Sequence, residues 1–312
     1  MNRVLAHTGA KYPIVQAPMG WIARSQLASA VCNAGGLGVI ETSSGETETC
    51  KDEIRKMRDL TTAPFAVNLP IRFLRDDAML RFVCDAGVKF VTTSAGSPAK
   101  FIQPLHDAGI TVYHAVPTVD TAMKCIDAGI DGLVVEGTEG GGFKNPEEVG
   151  TLVLLQAIRA KSDIPMIAAG GICDGKGMAA AFALGAEGVQ MGTRFVSCTE
   201  SPVHQNYKQA IIDAKETGTY VLNKKSTPCI RALKTERTAH IHEEGLMPPD
   251  TFARILDLYF GGDMEAAVGL AGETAGLITD VKTARTIIEE TVAEFFAITS
   301  RMGTLSADRS FG

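Results

Sequence analysis

The chain lacks any basic run or stripe: Lys+Arg 30 stand against Asp+Glu 36, a formal net charge of −6 over 312 residues. A duplex-binding surface has nothing to build on, and no nucleic-acid partner is expected. Long apolar runs are missing too. The longest, Met178–Leu184, falls far short of the roughly 20 residues a membrane helix needs, so no membrane is expected as a partner. No basic segment followed by an apolar one opens the chain, which makes the cytoplasm the expected compartment. The seven cysteines (Cys32, Cys50, Cys84, Cys125, Cys173, Cys198, Cys229) are odd in number, scattered and never in a CxxC pair. They read as reduced, mostly buried thiols, and no metal site is expected from them.

What is present is an ordinary globular composition, 45% hydrophobic and 21% charged, with glycines in a telling order. A helical run ending in Ala-Gly or Leu-Gly is followed by an apolar strand, again and again. Asn33-Ala34-Gly35-Gly36 precedes Leu37–Ile40, Asp85-Ala86-Gly87 precedes Val88–Thr92, and Asp107-Ala108-Gly109 precedes Ile110–His114. Asp127-Ala128-Gly129 precedes Asp131–Val135, and Leu184-Gly185 precedes Glu187–Met191. Glycine just past a helix caps it, because it takes the left-handed conformation cheaply. Three further strands open at prolines: Pro13–Ala17, Pro64–Asn68 and Pro165–Ala169. Strands apolar along most of their length point to a parallel sheet covered on both faces.

The segments between them carry helical spacing: Arg24–Cys32, Glu46–Leu60, Asp76–Cys84, Ala99–Leu105, Val119–Cys125, Glu147–Ala160 and Gly177–Ala183. Eight strands alternating with helices predict an α/β fold, a (β/α)8 TIM barrel. The repeat then stops. Ser201–Glu216, Pro249–Tyr259, Met264–Leu270 and Val281–Met302 read as helices, and Lys224–His242 is mixed and unassigned. We expect residues 1–200 and about 280–312 to form the barrel, with about 201–279 a helical cap inserted after strand 8.

Barrel chemistry sits at the C-terminal strand ends. Ala168-Ala169-Gly170-Gly171-Ile172 follows strand 7, with Asp174-Gly175 leading into a helix, and Met191-Gly192-Thr193-Arg194-Phe195 follows strand 8. Two glycine-bearing turns at those strands offer backbone N–H groups to a phosphate. After strand 6 comes Glu136-Gly137-Thr138-Glu139-Gly140-Gly141-Gly142-Phe143. Three consecutive glycines suggest that something flat or bulky approaches this backbone, a mobile lid being the plainer alternative. Asn68 ends strand 3 and could present its amide to a heterocycle, or simply cap the next turn. A phosphosugar isomerase or epimerase barrel would use the same cup, but it wants ionisable residues at several strand ends. Here those ends are mostly Ala, Pro, Gly, Asn and Phe. A barrel similar to inosine-monophosphate dehydrogenase would need a nucleophilic cysteine after strand 6, and none stands between Glu136 and Val149.

These motifs together resemble the nitronate monooxygenase (2-nitropropane dioxygenase) family of FMN enzymes. They are Gln16-Ala17-Pro18-Met19-Gly20, Asn33–Gly38, Pro64–Leu69, Glu136–Gly142, Ile167–Gly175, Ala183–Phe195 and Ala275-Gly276-Leu277-Ile278, in order from about residue 8 to about 300. That family also includes NAD(P)H:quinone reductases and flavin-dependent enoyl-acyl-carrier-protein reductases. The resemblance implies that Pro18, Met19 and Gly20 run beside the isoalloxazine and that Asn68 and Glu136 contact the flavin region. It further implies that Gly141 and Gly142 pass along the ring, while Ala169, Gly170, Gly171, Gly192 and Thr193 hold the phosphate, and Met191 between them is counted with the cofactor-binding residues.

The chain departs from the family at two places. The quinone-reductase branch tends to carry a lysine after the histidine that ends strand 5, whereas here Ala115 follows His114. Members that oxidise nitroalkanes, and the enoyl reductases, typically carry a histidine straight after the glycine run, as proton acceptor or donor. Here Phe143 stands there, and it has no proton to exchange. The catalytic residue is therefore unknown. His114, at the end of strand 5, is a candidate with an equally good reading as a packed strand-end histidine, while Lys144 and Glu139 read as solvated charges. His204 reads as structural and His240 and His242 as surface. The expected function is redox that FMN performs without a protein base, on a nitronate or from NAD(P)H to an acceptor. Quinones, activated alkenes and thioesters are the acceptor classes, and a homodimer is compatible with the family.

Overall fold

The computed structural model describes residues 1–307. A short helix α1 (Arg3–Thr8) precedes strand β1 (Ile14–Gln16), after which helix and strand alternate: α2 (Ser25–Asn33), β2 (Val39–Ile40), α3 (Thr47–Leu60), β3 (Ala66–Pro70), α4 (Ala78–Asp85), β4 (Phe90–Ser94), α5 (Ala99–Asp107), β5 (Thr111–Val116), α6 (Val119–Asp127) and β6 (Gly132–Glu136). After an excursion through β7 (Gly142–Lys144) the alternation resumes with α7 (Thr151–Arg159), β8 (Met166–Ala169), α8 (Gly175–Ala183) and β9 (Gly188–Met191).

Eight of these strands form one parallel sheet in the order β1-β9-β8-β6-β5-β4-β3-β2. The sheet closes on itself through a parallel bridge between Val15 and Leu37, with Leu37 N donating to Ile14 O and Gln16 N to Leu37 O, both at 2.9 Å. The TIM barrel read from the sequence is the fold.

Two apolar layers hold it. Val15, Leu37, Val39, Ala66, Phe90, Tyr113, Val134 and Ile167 fill the inside of the barrel, joined by Val4 of α1. A larger layer lies between strands and helices, with Leu27, Ile54, Val83, Leu105, Leu155 and Met178 among its buried members. A fully buried side chain of this kind contributes about 1.5–3 kcal/mol. The sequence reading did not foresee α1. Its His7 meets the ring edge of Tyr113 and shares a 3.0 Å hydrogen bond with its hydroxyl. Arg3 pairs with Glu187 at the start of β9. These contacts put α1 at the N-terminal end of the strands and leave the other end for the site.

Beyond β9 come α9 (Thr193–Val196), α10 (Gln205–Ile212), β10 (Thr219–Leu222), β11 (Cys229–Leu233), α11 (Glu236–Glu244), α12 (Ile255–Tyr259) and α13 (Ala284–Ala307). Helix α13 packs on α8 and α2 and completes the ring of helices. The unassigned stretch supplies β11 and α11, and β11 pairs antiparallel with both β10 and β7. Met264–Leu270 forms no helix, contrary to the expectation. Its carbonyls bond outward instead: Gly269 O accepts from Leu233 N at 2.9 Å and Leu270 O from the Tyr207 hydroxyl at 2.8 Å. Residues 308–312 of the expected 280–312 segment lie outside the described residues. No helix among the described residues is long and apolar enough to cross a membrane.

Candidate active site

The two turns at the ends of β8 and β9 are built as a cup. Gly170 and Gly171 both sit at positive φ, 90° and 73°, which bends the chain sharply off β8. Gly171 is exposed. The backbone N–H groups of Gly171, Gly192 and Thr193 have no acceptor among the described residues. A Cβ on Gly192 would stand 3.6 Å from Ala17 Cβ and 4.0 Å from Met19 Sδ, so the loop after β1 borders the cup. Two other groups beside the cup already have partners. The N-terminus of α8 is already satisfied, with Gly177 N donating to Asp174 Oδ1 and Gly175 N to Glu294 Oε2, each at 2.9 Å. The Thr193 hydroxyl accepts from Gly272 N at 2.9 Å, which leaves its own hydrogen to donate.

The glycine run of the loop after β6 ends in β7, where Gly142, Phe143 and Lys144 pair with Arg231, Ile230 and Cys229. A Cβ on Gly141 would lie 2.6 Å from Ala271 C and 2.8 Å from Gly272 N. The backbone that approaches these glycines is the chain's own. Arg231, 6% exposed, donates to Thr138 O at 2.7 Å and pairs with Glu273 at 2.9 Å, tying the loop to β11 and to the segment before α13.

Neither Lys144 nor Glu139 is a solvated charge. The Lys144 side chain is 3% exposed and bonds Glu136; the pleat of β7 turns it away from water. Glu139 accepts from Thr151 N at 3.0 Å and Thr151 Oγ1 at 2.9 Å, which caps α7. Phe143, on the other face of β7, is 48% exposed and lies 5.6 Å, ring centre to ring centre, from Phe73, itself 40% exposed. Phe73 belongs to a turn of 3₁₀ helix after β3. An apolar pair thus borders the mouth where a proton-exchanging group was looked for.

Asn68 is buried, and its Nδ2 donates to Thr92 Oγ1 at 3.0 Å and Thr92 O at 3.2 Å. Its amide is committed to β4. His114 is 1% exposed and shares a 2.7 Å hydrogen bond with Thr93 Oγ1. Burial lowers its pKa from 6.5 to about 4, so the imidazole is neutral and a weak base at ordinary pH. His204 caps α10 through Nδ1, which accepts from Asn206 N at 3.1 Å. His240 pairs with Glu244, and His242 stacks on Tyr220.

The sequence reading missed Glu41, at the end of β2. Its carboxylate is 1% exposed yet accepts from four donors in the loops after β1 and β2. A lone Glu in a serine-rich loop carries no local signal of burial.

With this geometry in hand, the comparisons decide the family. The sequence profile of the nitronate monooxygenase family matches residues 2–80 and 70–294. The chain belongs to that family. A nitronate monooxygenase of Pseudomonas aeruginosa is 30% identical, over 90% of this chain and 97% of that one. A (3aS,4S,5R,7aS)-5-hydroxy-7a-methyl-1-oxo-octahydro-1H-indene-4-carboxyl-CoA dehydrogenase of Mycobacterium tuberculosis is 35% identical over 73% of this chain, and the match spans 64% of that enzyme's length. Among solved structures, FabK from Thermotoga maritima superposes with a TM-score of 0.93 at 36% identity, covering 97% of this chain and 99% of that one.

The protein is thus an oxidoreductase of a flavin-dependent family. The nitronate monooxygenase cofactor finds a fitting receptor in the turns described: N–H donors without a protein acceptor at Gly171, Gly192 and Thr193, reached by a bend that only glycine makes without strain.

Proposed function

We propose that the protein binds FMN, with the phosphate on the Gly171, Gly192 and Thr193 N–H groups and the ring beside Pro18, Met19 and Gly20. Ala169, Gly170 and Met191 carry the two turns, and Asn68, Glu136, Gly141 and Gly142 form the wall behind. The cup suits one terminal phosphate, and the chain has no GxGxxG turn for a dinucleotide. Bound there, FMN supplies two-electron redox chemistry, taking electrons from a nitronate or from NAD(P)H and passing them to an acceptor.

The observation that carries the reaction class is the half-exposed Phe143 in the place of the family's histidine, together with a His114 that is buried and neutral. Substrates that need no proton removed are favoured: a nitronate already ionised, or a reduced nicotinamide. The apolar Phe73–Phe143 pair supports a second reading, an acceptor with an acyl or quinonoid body such as an enoyl thioester or quinone. In this reading residues 1–200 and about 280–312 are the FMN barrel and about 201–279 the cap. A cytoplasmic homodimer acting on small molecules goes with it.

The test is anaerobic flavin reduction by a nitronate, its neutral nitroalkane and NAD(P)H in turn. General base catalysis is worth roughly 100- to 10,000-fold, so the neutral nitroalkane should lag the nitronate by about that factor. Equal rates would reveal another base and refute the argument from Phe143. A purified protein that is colourless and takes up no FMN would refute the cofactor.

A further inference from the structure

Trp21 is the only tryptophan of the chain, and its backbone sits at φ 61°. A bulky residue takes that left-handed conformation only where the surroundings force it. It directly follows Pro18-Met19-Gly20. The turn is closed by Ile22 N and Ala23 N, which donate to Met19 O at 3.1 and 2.8 Å, and it is tied outward by the Glu41 carboxylate, which accepts from Trp21 N at 3.2 Å, Ser43 N at 2.6 Å, Ser43 Oγ at 2.8 Å and Ser44 N at 3.1 Å. Arg24 Nε lies 2.9 Å from the same carboxylate as an ion pair without hydrogen-bond alignment. Its far end reaches Ser44 Oγ at 3.0 Å and Glu46 at 2.9 Å. Glu41 N in turn donates to Ala23 O at 3.0 Å.

One buried carboxylate therefore ties the loop after β1 to the loop after β2. Here the strain falls between the hub and the phosphate turn: a Cβ on Gly20 would stand 3.1 Å from Ser43 Oγ, and one on Gly192 would stand 4.0 Å from Met19 Sδ.

We infer that Glu41 is a positioning residue for the flavin: by clamping Trp21 in its left-handed turn it fixes Met19 and Gly20 where the ring of a flavin whose phosphate sits in the cup would lie against them. The inference rests on the FMN reading above. Nothing in it requires Glu41 to touch the cofactor or the substrate.

Three variants test it: Glu41→Gln, Glu41→Gln with Trp21→Gly, and Ser43→Ala. Two readouts are FMN dissociation constants and, on the apoprotein, acrylamide quenching of the Trp21 emission. Losing the clamp should weaken FMN binding by about tenfold or more in Glu41→Gln and make Trp21 more accessible to acrylamide. Glycine needs no clamp to hold the turn, so adding Trp21→Gly should bring FMN affinity back to within about threefold of wild type. Ser43→Ala keeps the Arg24 pair and should weaken FMN by about threefold, which serves if Glu41→Gln does not fold. Wild-type FMN affinity in Glu41→Gln or Ser43→Ala, or no rescue by Trp21→Gly, overturns the proposal. If the wild type itself binds no FMN, the cofactor reading fails. The apoprotein quenching then judges the clamp alone, and unchanged Trp21 accessibility in Glu41→Gln or Ser43→Ala overturns it.

Discussion

Placing a charge in the cup separates a phosphate site from a glycine turn that only serves the fold. Gly171 is the position to use because it is exposed, and the atoms nearest a Cβ built there are Cβ, Cγ and Cδ of Glu139, at 3.5, 3.6 and 3.8 Å. Its φ of 73° means that any side chain carries left-handed strain of about 1–2 kcal/mol, in the free and the bound protein alike. Gly171→Asn therefore serves as the control, since it has the shape of aspartate and tolerates the conformation. Gly171→Asp adds one negative charge. Two unit charges about 4 Å apart interact by about 4 kcal/mol at an effective dielectric near 20. That is a loss of about a thousandfold in FMN affinity relative to Gly171→Asn. The assay is titration of the apoprotein with FMN at low and high salt, with melting temperatures of both apoproteins as the check on folding. Screening should shrink the gap at high salt. Asp and Asn variants that bind FMN within about threefold of one another would place the phosphate elsewhere.

Other perturbations test the frame around the site. Burial holds the His114 pKa at about 4 against 6.5, so the unfolded chain takes up a proton below pH 6.5 that the folded one refuses. Stability should be full above about pH 6.5 and fall by about 3 kcal/mol towards pH 4, and pH-dependent melts of His114→Asn should show a shallower fall; equal slopes refute it. Gly141→Ala drives a Cβ into the backbone of Ala271 and Gly272 and should cost about 2 kcal/mol or more, whereas Gly142→Ala meets only Leu270 Cδ1 at 4.0 Å and should cost about 1–2 kcal/mol of left-handed strain; denaturant melts rank them. Lys144→Met leaves Glu136 without its cation and should cost about 1–3 kcal/mol, recovered in part by adding Glu136→Gln; an additive double-mutant cycle would show that the pair contributes nothing.

The barrel was legible because its signals are local. Gly109 and Gly129 sit at φ 69° and 87° with nothing within 4 Å of an added Cβ, so their presence reports the helix end and little else. The strands that follow them start within a few residues of the positions read from the apolar runs. The helix expected over Glu147–Ala160 begins only at Thr151, since Gly150 stands in extended backbone at its cap. The sheet of β10, β11 and β7 was not legible, because Lys144 finds its partner at Cys229 and no local pattern announces a pairing over that distance. The Glu41 hub was hidden for a similar reason: its donors come from two loops brought together only when the barrel closes.

Position 143 shows what the fold adds to a comparison of residue types. Read along the chain, phenylalanine replaces a histidine and a lysine follows, as if one ionisable group had shifted by one place. The pleat of β7 removes that impression, since neighbours on a strand point to opposite faces. Lys144 turns into the protein against Glu136, while Phe143 turns out against Phe73, so the lysine cannot do at the mouth what a histidine would. A histidine introduced by Phe143→His would stand in the half-exposed place, close to its ordinary pKa of about 6.5, half of it ready to accept a proton near that pH. It should narrow the gap between neutral nitroalkane and nitronate, with a rate that rises with pH through about 6 to 7. The same gap and a flat profile in Phe143→His would mean that the face of β7 carrying residue 143 does not look onto the reacting carbon, and the argument from Phe143 would fall with it.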